Sequence, residues 1–215
     1  MSPASSLSLR QAAVWAGTSL LLMAALAGFA YGYVLQGLEP AHLPDREGLF
    51  RLGLLAWLLI FLLDVLASWA LYAYFRETHR SFALLAAWLR LLYTALLGAA
   101  LAQLAAVLPA RAAGLDTAYL SALLGAFRQT WGLGLIIFGL HLLVLAWLAR
   151  RSPAVPGWLA WLLLAAGLSY PLVQLGKLLL PGCPAETALL EQILALPMAA
   201  GELALAGWLL AKGGK

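Results

Sequence analysis

A bundle of six membrane-spanning α-helices is the fold this sequence predicts, and three observations predict it. Of 215 residues, 64% are hydrophobic and only 10% charged, and the mean hydropathy is +0.93. A soluble domain is about half apolar and about a quarter charged, so a water-soluble globule, a disordered chain and a nucleic-acid-binding domain are excluded. Second, six apolar stretches each reach the roughly 20 residues that cross a bilayer core about 30 Å thick. Third, polar and proline-rich segments punctuate the gaps between them.

The six stretches lie roughly at 13–35, 50–75, 82–108, 130–149, 157–180 and 188–211. The first begins just after Arg10 and contains Ala25-Leu26-Ala27, which imitates a signal-peptidase site. The apolar run continues to Leu35, so it reads as a span and not as a cleaved leader. Gln36–Gly48 follows, with Pro40, Pro44 and a cluster of charged residues. Arg76-Glu77-Thr78-His79-Arg80 reads as a tight polar turn between spans two and three. Pro109 to about Thr130 is the longest connection. Within it Tyr119, Leu123 and Phe127 recur at i, i+4, i+8, and Asp116 is placed to cap a helix start. This segment reads as an amphipathic helix on the outer face, or as an extension of the fourth span. Arg150-Arg151-Ser152-Pro153 ends the fourth span and Pro181-Gly182-Cys183-Pro184 the fifth. The whole of 1–215 reads as one six-helix domain.

Basic residues set the orientation. With both termini inside, Arg10, Arg76, Arg80, Arg150, Arg151, Lys212 and Lys215 collect on the inner side, tightly at helix ends. Trp15, Trp147, Trp158 and Trp208 fall near the same interface, as an aromatic belt requires. The positive charge of +4 is therefore read as topology and not as a polyanion site. One cysteine, Cys183, excludes an intramolecular disulfide.

The informative residues are the polar ones at depth. Asp64, Arg90, His141, Tyr170 and Glu202 sit on five different spans, each near the middle third of the membrane. A charged side chain at the bilayer centre costs about 2.5–3.5 kcal/mol on insertion scales, so such groups pair, face the interior or line water. The pairing expected is Asp64 with Arg90 and Glu202 with His141, Tyr170 serving as a neutral donor. Tyr170, Gln174 and Lys177 share one face of span five, and Glu191 and Glu202 share one face of span six. Lys177 and Glu191 read as an interfacial pair. Gly134 permits close approach by a ligand or a helix. Gly28 and Gly32 fit the G-x-x-x-G helix-packing pattern.

Together these positions suggest a polar pocket open to the outer side. Its ligand-binding candidates are Arg51, Asp64, Arg90, His141, Tyr170, Gln174 and Glu202. Arg90 and Arg51 would hold a negative group, Asp64 would hold Arg90, and His141 and Glu202 would supply hydrogen bonds or a proton. Neither a catalytic-serine, Walker nor dinucleotide-binding motif stands in a usable context, and one deep histidine argues against a metal centre. His141 and Glu202 remain the candidates for acid–base chemistry. The residues leave the cofactor question open.

The same residues carry a resemblance. Leu49-Phe50-Arg51-Leu52-Gly53 leads to Asp64 in one helix. Arg90 follows an Ala/Leu-rich start. Gly139-Leu140-His141-Leu142-Leu143 precedes Arg151-Ser152 and a proline turn, and Gly201-Glu202-Leu203 lies in the last span. Together they resemble a bacterial family of six-span integral membrane proteins of unknown function, over about Arg10 to Leu210. The resemblance implies that Arg51, Asp64, Arg90, His141 and Glu202 are family features. It also implies a multi-pass protein of the bacterial inner membrane, in which the basic residues place both termini on the cytoplasmic side. The family has no activity to carry over; from the residues themselves, the expected partners are the lipid bilayer and a small polar or lipid-like ligand, or else a larger membrane complex. Three functions follow as expectations: a binder or carrier of a small amphiphilic or polar ligand, an intramembrane enzyme acting on a lipid-like substrate, and a structural subunit. The first requires a hydrated cavity touching Arg90, His141 and Glu202.

Overall fold

A computed structural model describes residues 7–214; Lys215, counted among the inner basic residues, lies outside them. The described residues are helical, with no strand. α1 is Leu9–Ala27, continued by a π-helical segment, Gly28–Leu35. A short 3-10 turn, Pro40–His42, precedes α2, Glu47–Ala105. Then come α3 (Val107–Ala112), α4 (Thr117–Arg151), α5 (Gly157–Leu179) and α6 (Pro184–Ala211).

Five helices are long and apolar enough to cross a membrane, where the sequence leads one to expect six: Leu9–Leu35, Glu47–Ala112, Thr117–Arg151, Gly157–Leu179 and Pro184–Ala211. The difference lies in α2, which joins the second and third predicted spans. Its 59 residues would measure about 88 Å if straight, nearly three times a bilayer core. It is not straight, because His79 adopts extended backbone angles (φ −164°, ψ 102°) and the helix doubles back there. The His79 ring caps the second arm, its Nδ1 accepting from the Phe82 amide at 3.3 Å. The two arms then run side by side, Ser68 Oγ donating to the Ala87 carbonyl at 3.0 Å. The polar turn expected at 76–80 is thus a kink without a loop.

The connection before α4 also differs from one of its two readings. Asp116 accepts from the Tyr119 amide at 2.8 Å and starts a helix that runs unbroken to Arg151. The 115–127 segment is therefore an extension of the fourth span and not a separate surface helix. Leu120, Leu124 and Phe127 face inward, while Tyr119 is exposed. Gly114, at φ +79°, makes the turn between α3 and α4, a conformation a side chain would strain.

Packing follows a ring in which α1 meets α2, α2 meets α4, α4 meets α5, α5 meets α6 and α6 returns to α1. Small residues allow the close crossings. A Cβ at Gly139 would collide with the Pro171 ring and the Gly167 carbonyl, so α4 and α5 touch nearly backbone to backbone. A Cβ at Gly201 would meet Ala166 at 2.8 Å, which seats α6 on α5. A Cβ at Gly28 or Gly32, in contrast, would meet nothing within 4 Å, so the G-x-x-x-G pattern there is not a packing seam. Arg10 closes the ring by donating to the carbonyls of Leu209, Leu210 and Gly213 at 2.6–3.0 Å. Both ends of the described chain therefore meet at one end of the bundle, the proximal end. Glu47, Arg111 and Cys183 mark the opposite, distal end.

Candidate functional site

Three of the predicted deep residues form one chain of contacts. Asp64 on the first arm of α2 takes Arg90 Nη2 at 2.6 Å from the second arm. Arg90 Nη1 lies 3.3 Å from His141 Nε2 on α4. His141 Nδ1 lies 2.8 Å from the Ala86 carbonyl. A carbonyl only accepts, so Nδ1 carries the proton and Nε2 presents its lone pair to the guanidinium. The exposures of Asp64, Arg90 and His141 are 2%, 2% and 0%. The guanidinium also lies 5.3 Å from the Phe138 ring centroid and 4.0 Å from Met23 Sδ. Its Nε has no acceptor.

The expected Asp64–Arg90 pair is present. The expected Glu202–His141 pair is not, because both ring nitrogens of His141 are engaged by α2. Glu202 instead accepts the Tyr170 hydroxyl at 3.1 Å. Both residues are half-buried. Phe138 separates the two groups, stacking on His141 at 5.7 Å and meeting Tyr170 edge-on at 5.2 Å. The mid-bundle site is thus a buried triad of Asp64, Arg90 and His141 beside a half-buried pair of Tyr170 and Glu202.

The remaining candidates sit elsewhere. The amide oxygen of Gln174 occupies the space a Cβ at Gly132 would take, so it packs α5 on α4. Arg51 is at the distal rim, paired through Nη2 with Glu47 at 2.7 Å. It does not join Arg90, because the two stand at different depths in α2. Lys177 and Glu191 make the expected rim pair at 2.8 Å. Gly134 admits Tyr93, so the close approach is by a helix.

The space around the triad is filled, so the hydrated cavity that a binder centred on Arg90, His141 and Glu202 requires is not found there. A cleft on the proximal side of His141, lined by Ser68, Phe75, Ala86 and Leu145 among others, leaves no room for a water molecule. A cavity of about 300 Å³ lies instead at the distal rim, between Glu47, Arg51, Leu108, Pro109, Arg111 and Ala112. Met23 and Phe138 were not legible as site residues, since an apolar side chain in an apolar span carries no signal. Glu47 and Arg111 were also missed; the i, i+4 spacing of Glu47 to Arg51 is the signal that could have found the former.

Long apolar helices around a buried polar core define a multi-pass helical membrane protein. Within that class, the chain belongs to the family described as a domain of unknown function, DUF4386, whose model matches residues 15–213. No curated protein and no solved structure matches the chain.

Proposed function

We propose that the protein binds a small polar or amphiphilic molecule at the Tyr170–Glu202 pair, and that the chain crosses a bacterial inner membrane six times with both termini cytoplasmic. The doubled-back α2 supplies two of the six crossings. The observation that carries the binding reading is the state of Glu202. It is a carboxyl in the middle of α6, half-buried, with one neutral partner. Arg90 is the nearby cation, and Asp64 already holds it. The carboxyl thus has no cation in direct contact, in a place where its ionised form would be costly without one. A ligand offering an N–H or cationic group supplies what is lacking.

This revises the ligand chemistry expected from the residues alone. Arg90 and Arg51 were to hold a negative group together, but Asp64 takes that place at Arg90 and Arg51 stands apart at the distal rim. The triad serves as the frame that positions Phe138, and Phe138 in turn backs Tyr170. The enzyme reading loses its catalytic couple, because His141 does not face Glu202. The architectural reading keeps one supporting observation, the filled space around Arg90.

Native mass spectrometry of the protein extracted in a mild detergent separates the two. The expected result is a discrete added mass on the wild type that is lost in Glu202→Gln and Tyr170→Phe and retained in Arg51→Gln. A bare single chain overturns the binding reading and counts against the subunit reading as well; a multi-chain assembly unchanged by Glu202→Gln overturns the binding reading and favours the architectural one.

A further inference from the structure

We propose that the distal-rim cavity is a second site, one that takes an anionic phosphate group. Two guanidinium groups converge there on a single carboxylate. Arg51 reaches Glu47 Oε1 through Nε at 3.0 Å and Nη2 at 2.7 Å, and Arg111 reaches Oε2 through Nη1 at 3.1 Å. The three side chains carry a net positive charge, and most of the N–H donors on the two guanidiniums stay open. Guanidinium is the group best matched to a phosphate, since its planar fork donates two parallel hydrogen bonds. Glu47 holds both forks in place at a cavity of about 300 Å³.

The setting points the same way. Glu47 is the first residue of α2 and Arg111 lies in the last turn of α3, so the cavity sits where the apolar spans end. Leu108, Pro109 and Ala112 form its apolar wall. A phosphate flanked by hydrocarbon at a membrane boundary is the chemistry of a phospholipid head group, and free phosphate shares the recognised group. The site is separate from Glu202, and it attracts the opposite charge.

The experiment titrates the whole protein in mild detergent, by native mass spectrometry, with dioleoylphosphatidylglycerol, dioleoylphosphatidylcholine and inorganic phosphate in parallel. A lipid site predicts binding of the anionic lipid in preference to the zwitterionic one, weakened about tenfold or more in Arg51→Gln/Arg111→Gln. A free-anion site predicts binding of inorganic phosphate with the same dependence on the arginines, and no preference between the lipids. Glu47→Gln removes the competing charge and strengthens binding in either case, a gain that misfolding does not produce. Arg51→Lys/Arg111→Lys keeps the charge and retains partial binding. Equal binding of both lipids without phosphate binding, or affinities indifferent to the arginine and Glu47 substitutions, overturns the proposal. Since Glu202→Gln leaves this site untouched, its failure is separate from failure at Glu202.

Discussion

Asp64 and Arg90 answer each other so completely that removing either is worse than never having had them. Breaking a buried ion pair strands a charge and costs about 3–5 kcal/mol, whereas replacing both partners with apolar side chains is often neutral. Asp64→Ala is therefore expected to lower stability in detergent by about that amount. The double variant Asp64→Leu/Arg90→Met should recover most of the loss. Reversible denaturant titration of the three proteins tests this, and a double variant as weak as the single one refutes it. His141→Ala removes two hydrogen bonds but leaves the ion pair, and its expected cost is smaller, about 1–3 kcal/mol. If His141→Ala proves more damaging than Asp64→Ala, the guanidinium is held chiefly by the imidazole.

Helices here are joined by what their surfaces lack. Gly139 and Gly167 remove side chains where α4 and α5 cross, and Pro171 fills the gap so made. Gly139→Ala drives a methyl group into that ring, and overpacking of this kind costs about 1–3 kcal/mol. Gly28→Ala meets open space and should leave the melting temperature unchanged or slightly raised. Equal melting temperatures for the two variants would show that the crossing yields. The ring of helices has a similar dependence on Arg10, which supplies donors to the orphan carbonyls at the end of α6. Arg10→Ala is expected to raise amide hydrogen exchange in the last turn of α6 and in the first turn of α1. Unchanged exchange in α6 counts against this role.

For the molecule as a whole, the doubled-back α2 has a topological consequence. Ala41, Ala112 and Cys183 lie at the distal end, and Ala154 and Lys212 at the proximal end. Single-cysteine variants at the first two and the last two positions, in a Cys183→Ser background, extend the native Cys183. In intact cells, a membrane-impermeant maleimide is expected to label positions 41, 112 and 183, while 154 and 212 react only after permeabilisation. Labelling of 41 but not 112 would mean that α2 does not cross twice. The reverse pattern across all five would place the termini outside.

Much of this was legible along the chain because membranes convert sequence position into depth. A helix rises 1.5 Å per residue, so the distance of Asp64, Arg90, His141, Tyr170 and Glu202 from the span ends put all five near the middle. The Asp116 cap was legible from its place before a helical run, whereas the Glu47–Arg51 pair was not anticipated, Arg51 being expected to face a ligand. Class, approximate spans and the depth of the polar groups belong to the sequence by itself. Who meets whom at that depth was decided only by the tertiary structure. Depth says nothing about which face of a helix looks at which neighbour, and that depends on the helix order and on close crossings such as Gly139 on Gly167. Those crossings turn His141 toward the Ala86 carbonyl and Arg90, and they leave Glu202 to Tyr170. The joining of the second and third spans rests on a single residue, His79, whose ring supplies the cap that lets the helix restart without a loop.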